Sequence, residues 1–267
     1  MTQAYEIIEK KPGETPLQAL ERFRSGHPEL LGVPLTYAGR LDPMASGVLL
    51  ILIGDECKRR EMYDSFDKEY EFEILAGFES DTGDVLGIAQ HAEAHPDSPE
   101  RLRRAVEKMT GAVRLPYPAF SSKTVRGIPL FQYALEKRLG EIDIPVADVR
   151  VYSLKVRGAR TISSEVLLEE ILAKTGALSV EADPERLGSD FRTPEIEEKW
   201  RQLLKTPGQH TLVACTARVS SGTYIRSLVP AVGKRAATGV LAYSIRRTVI
   251  GKYRSVGRFG FWSRILR

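Results

Sequence analysis

Three side chains, far apart in a sequence of 267 residues, have the chemistry of an active site: a carboxylate, a phenol and a guanidinium. Asp42 lies in the run Gly39-Arg40-Leu41-Asp42-Pro43. Pro43 fixes its own φ and keeps Asp42 away from helical geometry. A carboxylate locked on a rigid loop suits a nucleophile or a general base. The same Asp-Pro pair is also ordinary turn chemistry, so the rest of the chain has to decide. Arg226 lies in Ser220-Ser221-Gly222-Thr223-Tyr224-Ile225-Arg226-Ser227-Leu228. Arginine is always charged and offers planar donors, so it suits pairing with a fixed carboxylate such as Asp42. Sequence alone leaves that pairing open. Tyr70 is either a core tyrosine or the floor of a pocket.

The elements that must position these residues are legible from period and punctuation. Val48 to Ile53 is an unbroken apolar run between Gly47 and Gly54, which suits a buried strand. From Lys68 to Gly77, Tyr70, Phe72, Ile74 and Ala76 alternate with Glu69, Glu71 and Glu73, the pattern of a half-buried strand. Tyr5 to Ile8 forms a short strand. Thr15, Pro16 and Gln18 open a helix with a capping box. Glu56 to Asp67 reads as helical. Glu79 to Gly87 holds Asp81 and Asp84 near glycines, but the spacing is not that of an EF-hand, and a hairpin is expected. Ser98-Pro99 caps a helix through Met109.

Leu115 to Gly127 is a proline-stiffened loop whose aromatic pair, Lys123 and Arg126 suit phosphates or stacked bases, or else a packed surface turn. Pro129 opens a helix to about Leu139. Asp148 to Val156 and His210 to Val219 read as strands. Between them, from about Thr161 to Lys205, Val166 to Lys174 and Pro194 to Leu204 form two helices of an insertion, which reads as no catalytic piece. A further helix carries Arg226 about one turn inside, and Ala242 to Ile250 is a last strand. Regular βαβ alternation is missing. The fold class is therefore α+β, with a mixed, largely antiparallel central sheet flanked by helices and loops.

The net charge of +4 hides an asymmetry. No acidic residue follows Glu198, whereas 14 Lys and Arg do; before that point 25 basic residues face 35 acidic ones, a net of −10. A basic stretch with interleaved Tyr, Phe and Trp points to a polyanion, above all nucleic acid. Cys57 and Cys215 give neither a disulfide framework nor a zinc spacing, and four scattered histidines form no metal cluster. The longest apolar run falls far short of the ~20 residues of a membrane helix. Met1 to Glu6 lacks the start of a signal peptide. A cytoplasmic monomer without an obligate protein partner is expected.

Several motifs, in order from Lys11 to about Tyr253, resemble the pseudouridine synthases, and within them the TruB branch of tRNA pseudouridine-55 synthases. The segment around Asp42, through Leu49, is similar to the family's G-H-T-G-x-L-D-P-x-A-S-G-V-L. Lys68-Glu69-Tyr70 matches K-x-Y, Asp81-Thr82-Gly83-Asp84 matches a family loop, and Pro118 to Lys123 resembles P-x-F-S-A-x-K. Ser220 to Leu228 is close to S-K-G-T-Y-I-R-x-L, and Ile245 to Tyr253 resembles a late motif. The resemblance implies the pseudouridine synthase fold, with Asp42 as nucleophile, Tyr70 as catalytic tyrosine and Arg226 as active-site arginine. It implies that Tyr37, Arg40, Lys68, Lys123, Tyr224 and Ile245 bind substrate, Ile245 lining the pocket. Tyr37 stands where the family has a histidine that wedges into the RNA loop, and Ala38 where it has threonine.

The implied reaction is conversion of uridine to pseudouridine at position 55 in the T arm of tRNA. It proceeds by base flipping, without metal or organic cofactor. The same chemistry on ribosomal or guide-selected RNA, and an RNA-folding helper without turnover, are the alternatives. The implied organisation is a catalytic domain over 1–255, interrupted by the helical insertion at about 161–205. A short basic tail follows at 256–267, in place of the family's C-terminal RNA-binding PUA domain.

Overall fold

The computed structural model describes residues 4–92, 98–179, 191–256 and 259–266. In chain order, β1 (Tyr5–Lys10) leads to α1 (Pro16–Ser25), β2 (Leu35–Ala38) and β3 (Ser46–Ile53). A 3-10 stretch, Gly54–Arg59, runs into α2 (Arg60–Asp64) and β4 (Asp67–Ala76). The hairpin of β5 (Phe78–Ser80) and β6 (Ala89–His91) precedes α3 (Ser98–Glu107) and β7 (Gly111–Pro116). A second hairpin, β8 (Thr124–Val125) with β9 (Ile128–Pro129), precedes α4 (Leu130–Leu135) and β10 (Val146–Ser163). Two helices follow, α5 (Ser164–Ser179) and α6 (Thr193–Leu203), then β11 (Gln209–Val219), α7 (Ile225–Ala236), β12 (Val240–Val256) and β13 (Phe259–Ile265).

Nine strands form one sheet in the order β1-β3-β12-β4-β11-β10-β7, with β2 paired to β3 and β13 to β12. Every pair is antiparallel except β3 with β12, which run parallel where Ser46 and Gly47 meet Arg246 and Arg247. The expected α+β class and largely antiparallel sheet are what is found. The period of two along β4 separates its faces. Lys68, Tyr70, Phe72 and Ile74 are buried on one, the last three in a cluster that includes Leu228, Val232, Trp200 and Ile245. Glu69 and Glu73 point the other way and pair with Arg218 and Arg160. The capping box of α1 is formed as its residues predict, Thr15 and Gln18 bonding each other's backbone N–H.

Several boundaries differ from expectation. The loop after α3 begins only at Tyr117, because Gly111–Pro116 pairs with β10 along its whole length. Strand β10 spans 18 residues because it is sandwiched between β7 and β11. Helix α4 stops at Leu135, and Lys137 takes a left-handed φ of 57°. The expected tail at 256–267 is largely strand β13, whose N–H and C=O groups find partners on β12. The Ser98 side chain, expected to cap α3, and the link at 180–190 between α5 and α6 lie outside the described residues.

Candidate active site

The inner face of β4 opens into a cleft of about 790 Å³. Its walls are the loop between β2 and β3, the loop of the β5–β6 hairpin, the segment 120–122 and the start of α7. Arg226 organises it. It is the second residue of α7, not a full turn inside, so its side chain reaches back across the helix entrance. Its Nε donates to Asp42 Oδ2 at 2.7 Å and lies 3.4 Å from Asp84 Oδ2. Nη1 donates to the Thr82 carbonyl and Nη2 to the Phe120 carbonyl, both at 3.0 Å. Gly83 permits this approach. It holds φ at +77°, and a Cβ there would sit 2.4 Å from the Arg226 carbonyl oxygen.

The charges are unequal in exposure. The side chains of Arg226 and Asp84 are each 4% exposed, whereas that of Asp42 is 32% exposed, towards the cleft. Burial pushes the Asp84 carboxyl up to about 6, against the pull of Arg226 and of bonds from Thr82 Oγ1 and the Leu86 N–H. Burial by itself would lower the pKa of the Arg226 guanidinium, but Asp42 and Asp84 together more than reverse it. A planar cation between two carboxylates thus holds the segment carrying Asp42 against the hairpin loop carrying Asp84.

A second buried arginine braces the loop from behind. Arg247 has no exposed surface. Its Nε donates to the Val48 carbonyl and its Nη2 to the Gly39 carbonyl, both at 2.8 Å, and it stands opposite Tyr70 in the β4–β12 ladder. Gly47 is required here, since a Cβ would come within 2.1 Å of the Arg247 carbonyl oxygen. From the other side, Lys10 Nζ and the Gly13 N–H both donate to the Pro43 carbonyl. Burial lowers the Lys10 pKa to about 8 despite Glu14 and Asp42. Lys68 Nζ donates to the Asp64 and Phe66 carbonyls, and burial together with Arg247 lowers its pKa to about 7.

Of the residues singled out from sequence, Tyr37, Arg40, Asp42, Lys68, Tyr70, Tyr224, Arg226 and Ile245 all line this cleft. Arg60 lies over the Tyr37 ring, and Arg40 bonds Ser122 across the opening. Burial, then the Asp42 charge, raises the Tyr224 hydroxyl to about 12. Lys123 is exposed and outside the lining; its Nζ lies 5.1 Å from the ring centre of Tyr117, which packs edge-on against Tyr224.

Asp84 and Arg247 were not anticipated as site residues. Both fall within the family-like motifs, at positions whose types alone suggest no role. The helical insertion also reaches the site, contrary to expectation. Leu178, Phe191 and Arg192 line the cleft, and Arg192 bonds Asp81 at 2.6 Å with its guanidinium 4.1 Å from the Phe120 ring centre. Trp200 of α6 donates its indole N–H to the Val85 carbonyl at 2.9 Å. Segments flanking the Thr82–Asp84 loop are therefore pinned by α6 and its entrance.

Residues 34–172 match the N-terminal domain of the TruB family pseudouridylate synthases. The chain belongs to the TruB family. The match takes in Asp42, Tyr70 and Asp84 and ends within α5, before Arg226. Among TruB-like relatives, the chain is 29% identical over 220 residues to tRNA pseudouridine synthase B of Deinococcus radiodurans, covering 81% of this chain and 65% of that protein. It is also 29% identical over 253 residues to tRNA pseudouridine synthase 4 of Saccharomyces cerevisiae, covering 84% and 60% respectively. The chain thus spans under two thirds of the length of these relatives. A chain of a solved Cbf5-Nop10-Gar1 complex superposes with a TM-score of 0.51 at 16% identity, over 92% of this TruB-family chain and 48% of its own length; that likeness concerns the fold.

Proposed function

We propose that this TruB-family chain isomerises uridine to pseudouridine in RNA, at position 55 in the T arm of tRNA. The reaction breaks the bond between uracil N1 and C1′, turns the freed base and joins C1′ to C5. C5 then gives up its proton and N1 gains one. The uridine has to leave its stack to enter the cleft. Asp42 is the nucleophile that meets the ribosyl carbon as N1 departs. Arg226 supplies its counter-charge from a buried position that does not need to move. Tyr70 stacks on the flipped base and stands near C5, where the proton leaves. Ile245 fills the apolar wall, and Tyr37, Arg40 and Tyr224 border the entrance. The catalytic unit includes β12 and the two helices α5 and α6.

The observation that carries this reading is the arrangement at Asp42. Its carboxylate opens on a cleft large enough for a nucleotide while bonded at 2.7 Å to an arginine that is itself shut away from solvent. The test is incubation of the full chain with an unmodified tRNA transcript and with a minimal T-arm hairpin, followed by mapping of pseudouridine. Product at the T-arm position that disappears with Asp42→Asn supports the assignment. Wild-type binding without product favours a folding helper, and product only at other positions or in other RNAs removes the proposed substrate.

A further inference from the structure

Four arginines on the large sheet have an acidic partner nearby: Arg160 pairs with Glu73, Arg218 with Glu69, Arg246 with Glu9 and Arg114 with Asp148. Arg150 and Arg157 on β10 are exposed without a carboxylate partner among the described residues. The β12–β13 hairpin gathers three such cations. Lys252, Arg254 and Arg264 are all exposed, and none has a carboxylate partner among the described residues. The hairpin itself carries no acid, since none follows Glu198 in the sequence.

Register places the three cations together. Lys252 is opposite Arg264, and Arg254 is opposite Phe261, whose ring is 55% exposed. Partners across an antiparallel ladder share a face, and residues two apart along a strand do too. Lys252, Arg254, Arg264 and Phe261 therefore form one surface, three positive charges around one open aromatic ring. Lys252 and Arg264 both lie over the Phe66 ring, which seats them on the body of the protein.

That surface lies on the active-site side of the sheet. Along β12, Arg247 is opposite Tyr70 and Ile250 is opposite Lys68, so Ile250 shares the inner face with the cleft. Lys252 and Arg254 follow Ile250 at two and four residues on that face. At roughly 3.3 Å per residue, Lys252 lies about 23 Å along the strand from Ile245 in the cleft wall. Lys68, opposite Ile250, is the nearer cleft residue, so the hairpin face begins at the edge of the cleft and runs away from Ile245, as suits a backbone leading away from the flipped nucleotide.

We propose that this hairpin face is a second RNA contact, which takes the phosphates of RNA beyond the T arm that presents the uridine. Unpaired cations recognise a polyanion by charge, and release of its counterions makes the contact steeply salt-dependent. Phe261 offers a ring to a base or ribose of that RNA. The proposal rests on the RNA reading above and adds the length of RNA that the protein engages: more than the minimal arm that enters the cleft.

The test compares the wild type with a triple variant, Lys252→Gln, Arg254→Gln and Arg264→Gln, on a full tRNA transcript and on a minimal T-arm hairpin. Binding is measured beside turnover in the full chain. On the transcript, the variant should lose about tenfold or more in affinity and in kcat/KM, with kcat unchanged. Its slope of log affinity against log salt should be shallower by about two to three, at ~0.7–0.9 for each phosphate that the variant no longer neutralises. On the minimal hairpin its affinity and turnover should equal those of the wild type, which also shows that it is folded. Equal losses on both RNAs, or no loss on the transcript, would overturn the proposal. Should the wild type bind both RNAs and modify neither, the isomerase reading fails, and the affinity ratio still decides this one.

Discussion

Arg226 donates its Nε–H to Asp42 at 2.7 Å, although the two residues lie 184 positions apart in the chain. The contact joins the entrance of α7 to the loop before β3, so it can form only when the sheet is assembled. It is also lopsided, since the cation is buried and the carboxylate faces the cleft. Arg226 therefore has a structural duty towards buried Asp84 and, on the proposed function, a chemical one towards Asp42, and substitutions can separate them.

The structural duty predicts a large loss on removing the cation. Arg226→Met leaves Asp84 buried with only Thr82 and the Leu86 N–H as donors. Breaking a buried pair from one side costs about 3–5 kcal/mol. Urea unfolding at pH 8 should show that deficit, with Asp42→Asn far milder. The pH dependence has a defined sign. A carboxyl whose folded pKa is raised above its unfolded value near 3.8 binds protons preferentially in the folded state, so stability falls as pH rises between the two values. The deficit of Arg226→Met should therefore shrink as the pH is lowered from 8 to 5. A deficit constant with pH would contradict the role given to Asp84.

The chemical duty predicts that Asp42→Asn abolishes turnover while preserving binding. An amide of nearly the same shape retains an oxygen for Arg226 but is no nucleophile. Single-turnover rates should fall by at least roughly a thousandfold with RNA affinity within about threefold of the wild type. Residual turnover near the wild-type rate would exclude Asp42 as the nucleophile.

Lys68 gives a test of burial in the cleft floor. Its pKa is lowered from 10.5 to about 7, first by burial and then by Arg247. Between those values the unfolded chain carries the proton and the folded chain does not, so this group makes stability rise with pH across that window. The slope is at most on the order of 1.4 kcal/mol per pH unit. Unfolding free energies of the wild type minus those of Lys68→Met should climb from pH 7 to 10, and a flat difference would mean that Lys68 stays protonated.

The elements that position the site were largely legible because they obey simple periods. The alternation along β4 identified the buried face of Tyr70, and the capping box at Thr15 and Gln18 formed as written. What the sequence withheld was long-range. Asp84 is an ordinary turn acid until the hairpin folds over Arg226, and Arg247 is one of two adjacent arginines until pairing buries one and exposes the other. Strand β13 reads in sequence as a basic tail, because nothing local shows that its backbone has a partner in β12. The helical insertion was set aside because nothing in its own sequence shows what Arg192 and Trp200 touch.

That insertion supplies the last prediction. Arg192 bonds Asp81 and stacks on Phe120, while Arg226 bonds the carbonyls of Thr82 and Phe120, so both arginines hold the same two segments. Arg192→Ala should loosen the cradle of Arg226 without unfolding the protein, since the Arg192–Asp81 pair is partly exposed, at 18% and 37%. The expected result is a fall in kcat of about tenfold, a melting temperature within a few degrees of the wild type and little change in KM. Arg192→Lys, which keeps the charge but not the planar stack, should recover only part of the loss. Wild-type kcat in Arg192→Ala would reduce the helical pair to a covering of the sheet, with no hold on the chemistry.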